Sequence, residues 1–215
     1  MRERMRIIGK GLPLFLVIMI SFVVTFYFAM FGFDPHHDGF MFKTALDVSR
    51  GLTMYKDTYS QYGVLTILIQ AAFIKILGEK VWAVKAATVV MYMISYIVAY
   101  LIYRKFLGRI SAMLVCFLTL SMSPFFFWVF LPWSSVYSIA FLMISAYTII
   151  TYFERGGVQN AWLIAGSIAG VCCFLCRQPV GIVTVLAFYV SVFFLFAAKK
   201  VTFKGSPELG DEAFA

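Results

Sequence analysis

The six residues Asp34-Pro35-His36-His37-Asp38-Gly39 hold two carboxylates and both histidines of the chain. They follow directly on an apolar run, Gly11 to Phe33, that carries no charge. Ionisable groups at the edge of such a run are costly to desolvate and are rarely needed for packing. Carboxylates and imidazoles are also the groups that exchange protons or bind metals. Asp38 is well placed to cap a helix starting near Gly39. Asp34 precedes a proline and reads as a turn residue. Asp34, His36, His37 and Asp38 have donor types that suit several divalent ions. Four ligands from five consecutive residues rarely converge on one ion, so neither a metal nor another cofactor is expected.

Two further constellations carry chemistry. Arg177-Gln178-Pro179 interrupts an apolar stretch. A guanidinium there matches a phosphate bidentately, and the plain alternative is an arginine snorkelling to lipid headgroups. Cys173-Phe174-Leu175-Cys176 has the spacing of a thiol–disulfide exchange pair working with a quinone. Such a relay needs a second pair, and only Cys116 and Cys172 remain, both inside apolar runs where cysteine is usually a small filler.

The elements that must position these groups are membrane helices. The chain is 62% hydrophobic and 13% charged, against roughly 45–50% and 25% for soluble domains, which excludes an ordinary soluble fold. Its apolar runs are about twice the length of a barrel strand and apolar on all sides. The net charge of +8 comes from short basic clusters at the ends of apolar runs. These read as topology signals and contacts to membrane lipids, not as a nucleic-acid surface.

Six spans are predicted: Gly11–Phe33, Trp82–Tyr103, Ile110–Phe130, Ser134–Phe153, Ala161–Cys176 and Val180–Ala198. Gly11–Phe33 is too long for a cleaved leader. With the N-terminus in the cytoplasm of a cell (inner) membrane, Arg104, Lys105, Arg109, Arg155, Lys199 and Lys200 all fall inside, as the positive-inside rule requires.

The loop 33–81 then lies outside. In it Met41, Ala45, Val48 and Leu52 recur at helical spacing, opposite Lys43, Asp47 and Arg50. This predicts an amphipathic helix on the membrane surface, ended by Gly51. Val64–Leu77 is apolar but short for a span and predicts an interfacial or re-entrant helix. The transmembrane domain is assigned to residues 1–200, and the polar tail 201–215 is expected to be disordered.

This order of elements resembles the N-terminal portion of the GT-C glycosyltransferases, polytopic enzymes that use lipid-phosphate-linked sugars and include the protein mannosyltransferases and the lipid A aminoarabinose transferase. The carriers are Asp38-Gly39-Phe40, Ala45-Leu46, Gly51, Tyr55-Lys56-Asp57, Tyr62-Gly63-Val64-Leu65 and Leu77-Gly78 in the first loop. Gly166, Gly170 and Cys176-Arg177-Gln178-Pro179-Val180-Gly181 are similar to a later motif. Two departures stand out. Many members carry Asp-Glu at Asp38-Gly39, and Lys-Pro-Pro-like residues at Gln61-Tyr62-Gly63.

The resemblance implies an all-α inverting transferase with a polyprenyl-phosphate sugar donor and an unidentified acceptor. In that reading Asp38 is the general base, with Asp34 the alternative. Arg177 holds the leaving lipid phosphate. His36, His37, Lys56, Tyr62 and Gln178 are further substrate contacts. Lys85 is a weaker phosphate candidate that, with Lys80, otherwise serves the interface. The run Pro124–Trp133 lines a groove for the lipid chain or forms an aromatic belt. Members of the family are longer, so the chain is expected to be a portion of such an enzyme. A non-catalytic flippase or assembly subunit on the same scaffold is the alternative, and a thiol–quinone oxidoreductase using Cys173 and Cys176 a third reading.

Overall fold

The structure, a computed structural model, describes residues 2–122, 131–157 and 159–205. Among these it has eight helices and no β-strand, only an isolated bridge pairing Met54 with Thr58. The helices are α1 (Arg2–Met30), α2 (His37–Ser49), α3 (Val64–Leu77), α4 (Val81–Phe106), α5 (Arg109–Met122), α6 (Ser134–Glu154), α7 (Asn160–Cys176) and α8 (Gln178–Gly205).

Five predicted spans coincide with helices, and the third, Ile110–Phe130, does so as far as Met122, beyond which it lies outside the described residues. Four are long and apolar enough to cross a membrane: α1 from Gly11, α4, α6 and α8 up to Ala197. The other two are shorter, with 14 described residues in α5 and 17 in α7. Most of the predicted aromatic groove, Pro124–Phe130, lies outside the described residues. So do residues 206–215, while α8 itself runs on to Gly205.

The bundle is organised around α4, which packs against α1, α5 and α6. The last of these carries α7 and α8 on its far side. Small residues allow the closest approaches. A Cβ on Gly166 of α7 would fall 2.5 Å from Thr148 Oγ1 of α6 and 2.2 Å from the Phe188 ring of α8. Tyr100, Tyr137 and Tyr152 are the largest fully buried side chains. The outward faces of α1 and α8 stay apolar, with Val23 57% and Phe193 68% exposed, as suits lipid.

The first loop folds back on the bundle. Helix α2 buries Met41 and Ala45 against Ile67 and Ile74 of α3 and Ala83 and Val84 of α4. Its apolar stripe is therefore covered largely by protein. Gly51 follows the C-cap at φ +95, which favours glycine, so the predicted stop holds; Leu52 lies beyond the helix and is exposed. Helix α3 also contacts α7. Its first residue follows Gly63, whose N–H donates to the Cys176 carbonyl at 3.2 Å.

Between α7 and α8 the break is a single residue. Arg177 is extended (φ −153, ψ 107), and the next helix starts at Gln178. Pro179 sits in the first turn of α8, where a missing N–H costs nothing.

Candidate functional site

Pro35 pins the chain just before α2, whose N-cap is His36, and the side chain that closes the turn into the helix is that of Asp34, not Asp38. Asp34 Oδ1 accepts the backbone N–H of His36 at 2.9 Å and of His37 at 3.1 Å. These bonds, that from His37 foremost, hold its carboxyl below the ordinary carboxylate range, against a smaller opposing effect of burial. Asp34 is thus committed to the turn.

Asp38 lies in the first turn of α2 and is 1% exposed. Its Oδ2 accepts the Asp34 backbone N–H at 3.1 Å and lies 3.2 Å from Lys85 Nζ. Lys85 also donates to the Gly32 carbonyl at 2.6 Å. The second oxygen, Oδ1, is buried and has no hydrogen-bond partner among the described residues. Lys85 was expected at the interface. It is instead 8% exposed and faces the interior of the bundle, because an ammonium within a span is stable only against a counter-charge.

The two histidine rings meet edge-on, with centroids 5.0 Å apart, but differ in exposure. His36 is exposed. His37 is half-buried, and its Nδ1 accepts the indole N–H of Trp133 at 3.1 Å. With Nδ1 taken up as an acceptor, Nε2 is the ring nitrogen left to donate. Trp133 also meets the His37 ring edge-on, with centroids 5.1 Å apart.

Arg177 is half-buried and donates to Ser135 Oγ in the first turn of α6, two residues from Trp133. The start of α2, the starts of α4 and α6 and the α7–α8 joint therefore gather at one end of the bundle. Asp38, His37 and Arg177 share that end. Lys56 and Gln178 are exposed. Lys56 sits in a tight turn where Asp57 Oδ2 accepts the Thr53 N–H at 2.9 Å and Tyr55 has φ +63. Tyr62 is half-buried and contributes its carbonyl to Tyr55 Oη at 2.9 Å.

A buried polar network lies below this end. Gln70 of α3 donates to the Pro132 carbonyl at 3.1 Å and to Tyr137 Oη at 3.2 Å, and Thr88 of α4 meets the same phenol at 3.0 Å. Beside it a cleft of about 160 Å³ opens between α4, α5 and α6, lined by Tyr92, Tyr96, Tyr103, Leu131, Trp133 and Ser135. Cys173 and Cys176 are both fully buried and unpaired, Cys173 lying against Thr184 Oγ1 at 3.5 Å. No thiol of this pair is presented for exchange with a partner.

Among the described residues no three His, Cys, Asp or Glu side chains converge as metal ligands. Sequence reasoning passed over Ser135, counted Trp133 only as the end of an aromatic run, and misplaced Lys85. Only Lys85 gave a signal: it is the sole charge in α4 before Arg104.

A family model described as dolichyl-phosphate-mannose-protein mannosyltransferase matches residues 63–207, about two thirds of the chain. The match takes in Lys85, Trp133, Ser135 and Arg177; it begins at Gly63, within the loop 33–81, and leaves out Asp38. No curated protein and no solved structure gives a significant match.

Proposed function

The chain belongs to the dolichyl-phosphate-mannose-protein mannosyltransferase family of GT-C-type membrane glycosyltransferases, and we propose that it transfers a sugar from a polyprenyl-phosphate carrier to an acceptor at the outer face of the cytoplasmic membrane. The observation that carries this reading is the presence, at the same end of the bundle, of a buried carboxylate having one unpartnered oxygen and of a guanidinium at a helix joint.

Asp38 Oδ1 takes the proton of the acceptor as its oxygen or nitrogen attacks the anomeric carbon. The bond from that carbon to the phosphate oxygen breaks, and the leaving lipid phosphate gains a negative charge. Arg177 meets that charge with its fork of donors. His37, with its Nε2 proton, supplies a second donor nearby. The apolar cleft with Trp133 and Ser135 among its lining residues suits the first units of the polyprenyl chain. Since Oδ1 is buried, the acceptor reaches it by displacing a neighbouring side chain, and the catalytic contact tightens only in the complex.

The test follows label from polyprenyl-phosphate [3H]mannose into acceptors of native membranes containing the full chain. Asp38→Asn lowers the rate by about 100-fold or more, the lower end of what a general base contributes. Arg177→Met raises the donor KM and lowers kcat, and Arg177→Lys recovers only part because it loses the fork. Transfer at the wild-type rate by Asp38→Asn sinks the base assignment. The closure of Asp38 by Lys85 favours one other reading, a non-catalytic flippase or assembly subunit. In that case the wild-type protein moves no label while its deletion still blocks glycan export.

A further inference from the structure

We infer that Lys85 is a positioning residue: it fixes which oxygen of Asp38 faces the acceptor. The inference rests on the reading of Asp38 as the base and adds to it a residue from a different helix.

Three elements meet at the Lys85 ammonium. It projects from the first turns of α4, donates to the Gly32 carbonyl just beyond α1, and pairs with Asp38 in the first turn of α2. Gly32 itself has φ +78, so the chain bends there in a conformation that turns its carbonyl toward α4 at little cost to glycine.

The pairing is one-sided. Both the ammonium and the Asp34 N–H engage Oδ2, and among the described residues nothing engages Oδ1. A pair serving packing alone gains most when both carboxylate oxygens are satisfied, because an unpartnered buried oxygen carries a desolvation cost. Here two donors are concentrated on one oxygen. The carboxylate cannot rotate without breaking both bonds, so Oδ1 is held in one fixed direction, away from the two donors. That is the arrangement that a base needs, with a fixed orientation and one free lone pair. The ammonium lacks direct access to substrate while it is so occupied, which separates its part from that of Arg177.

The test is a double-mutant cycle on the full chain in native membranes, with polyprenyl-phosphate [3H]mannose as donor and melting temperature in detergent as the folding control. Lys85→Met lowers kcat at least tenfold and leaves the donor KM within twofold. Lys85→Arg, which restores a cation, recovers most of the lost rate. On the Asp38→Asn background, Lys85→Met costs less than a further twofold. If Lys85→Met does not fold, Lys85→Gln keeps a donor for the Gly32 carbonyl and carries the same measurement.

A raised donor KM with kcat retained makes Lys85 a phosphate contact and overturns the inference. An equal loss on both backgrounds also overturns it, since Lys85 then acts independently of Asp38. The base reading fails by a different result, full transfer by Asp38→Asn alone.

Discussion

Asp34 and Asp38 lie one helical turn apart, yet their oxygens are spent differently. Asp34 gives one oxygen to the N–H groups of His36 and His37 and so closes the turn that starts α2. Those bonds lower its pKa in the folded state, the His37 N–H contributing most. A lowered carboxyl pKa stabilises the fold above the unfolded value, near 3.8, and that stabilisation disappears as pH falls through the folded value. The expected outcome is that Asp34→Ala lowers the melting temperature at neutral pH and that the gap from wild type narrows as pH falls below 3.8 and through the lower folded value, where the parent carboxyl takes up its proton. A gap unchanged by acid means that the turn does not depend on the charged carboxylate.

The polar cluster itself was legible in the sequence, since two acids and two histidines at the end of an apolar run need a reason. Which acid closes the turn into the helix was not, because the answer depends on Pro35 and on where the first helical turn closes. Nor were the partners. Trp133 comes 96 residues after the His37 it holds, and Ser135 lies 42 residues before Arg177.

At the scale of elements, apolar length and basic ends located the helices at all six predicted spans, because both follow from bilayer thickness and desolvation alone. The short helices were harder. Their composition fits an interface or a protein surface equally well, and only tertiary packing decides. Helix α2 turns Met41 and Ala45 onto α3 and α4, and α3 buries Thr66, Gln70 and Ala71 within the bundle.

The contact that locks α3 in place is the approach of Gly63 to the end of α7. A Cβ there would fall 2.0 Å from the Leu175 carbonyl oxygen and 2.6 Å from that of Cys176. Backbone cannot move aside as a side chain can, so Gly63→Ala separates α3 from the Arg177 joint at a cost of about 1–3 kcal/mol, typical of overpacking. Gly39 supplies the contrast. It lies within α2, and a methyl group added there meets nothing within 4 Å, so Gly39→Ala stabilises by about 0.5 kcal/mol. Thermal unfolding of both variants in detergent checks the pair of signs.

The whole molecule has two unlike ends. One gathers Asp38, Lys85, His37, Trp133 and Arg177. The opposite end holds the α4–α5 and α6–α7 turns, with Arg104 and Lys105 in the last turn of α4 and Arg155 capping α6. There Lys105 pairs with Glu154 and lies over the Tyr147 ring at 4.8 Å, and Arg155 stacks on Trp162 at 5.3 Å. The two short turns there carry Arg104, Lys105, Arg109 and Arg155 against the single acid Glu154, a bias that predicts this end to face the cytoplasm and the site to lie outside.

Two exposed positions report the two ends: Lys56 in the turn after α2, and Gly108 between α4 and α5, where a Cβ meets nothing within 4 Å. In sealed cells an impermeant maleimide labels Lys56→Cys, and it labels Gly108→Cys only after the membrane is opened. The natural cysteines contribute little background, since Cys116, Cys173 and Cys176 are buried and Cys172 half-buried. Labelling of both positions from one side would break the six-span topology, because the chain between them would no longer cross once, through α4. Labelling with the sides exchanged would keep the bundle and move the chemistry to the cytoplasmic face, where the donor sugar would have to be presented on the inner leaflet.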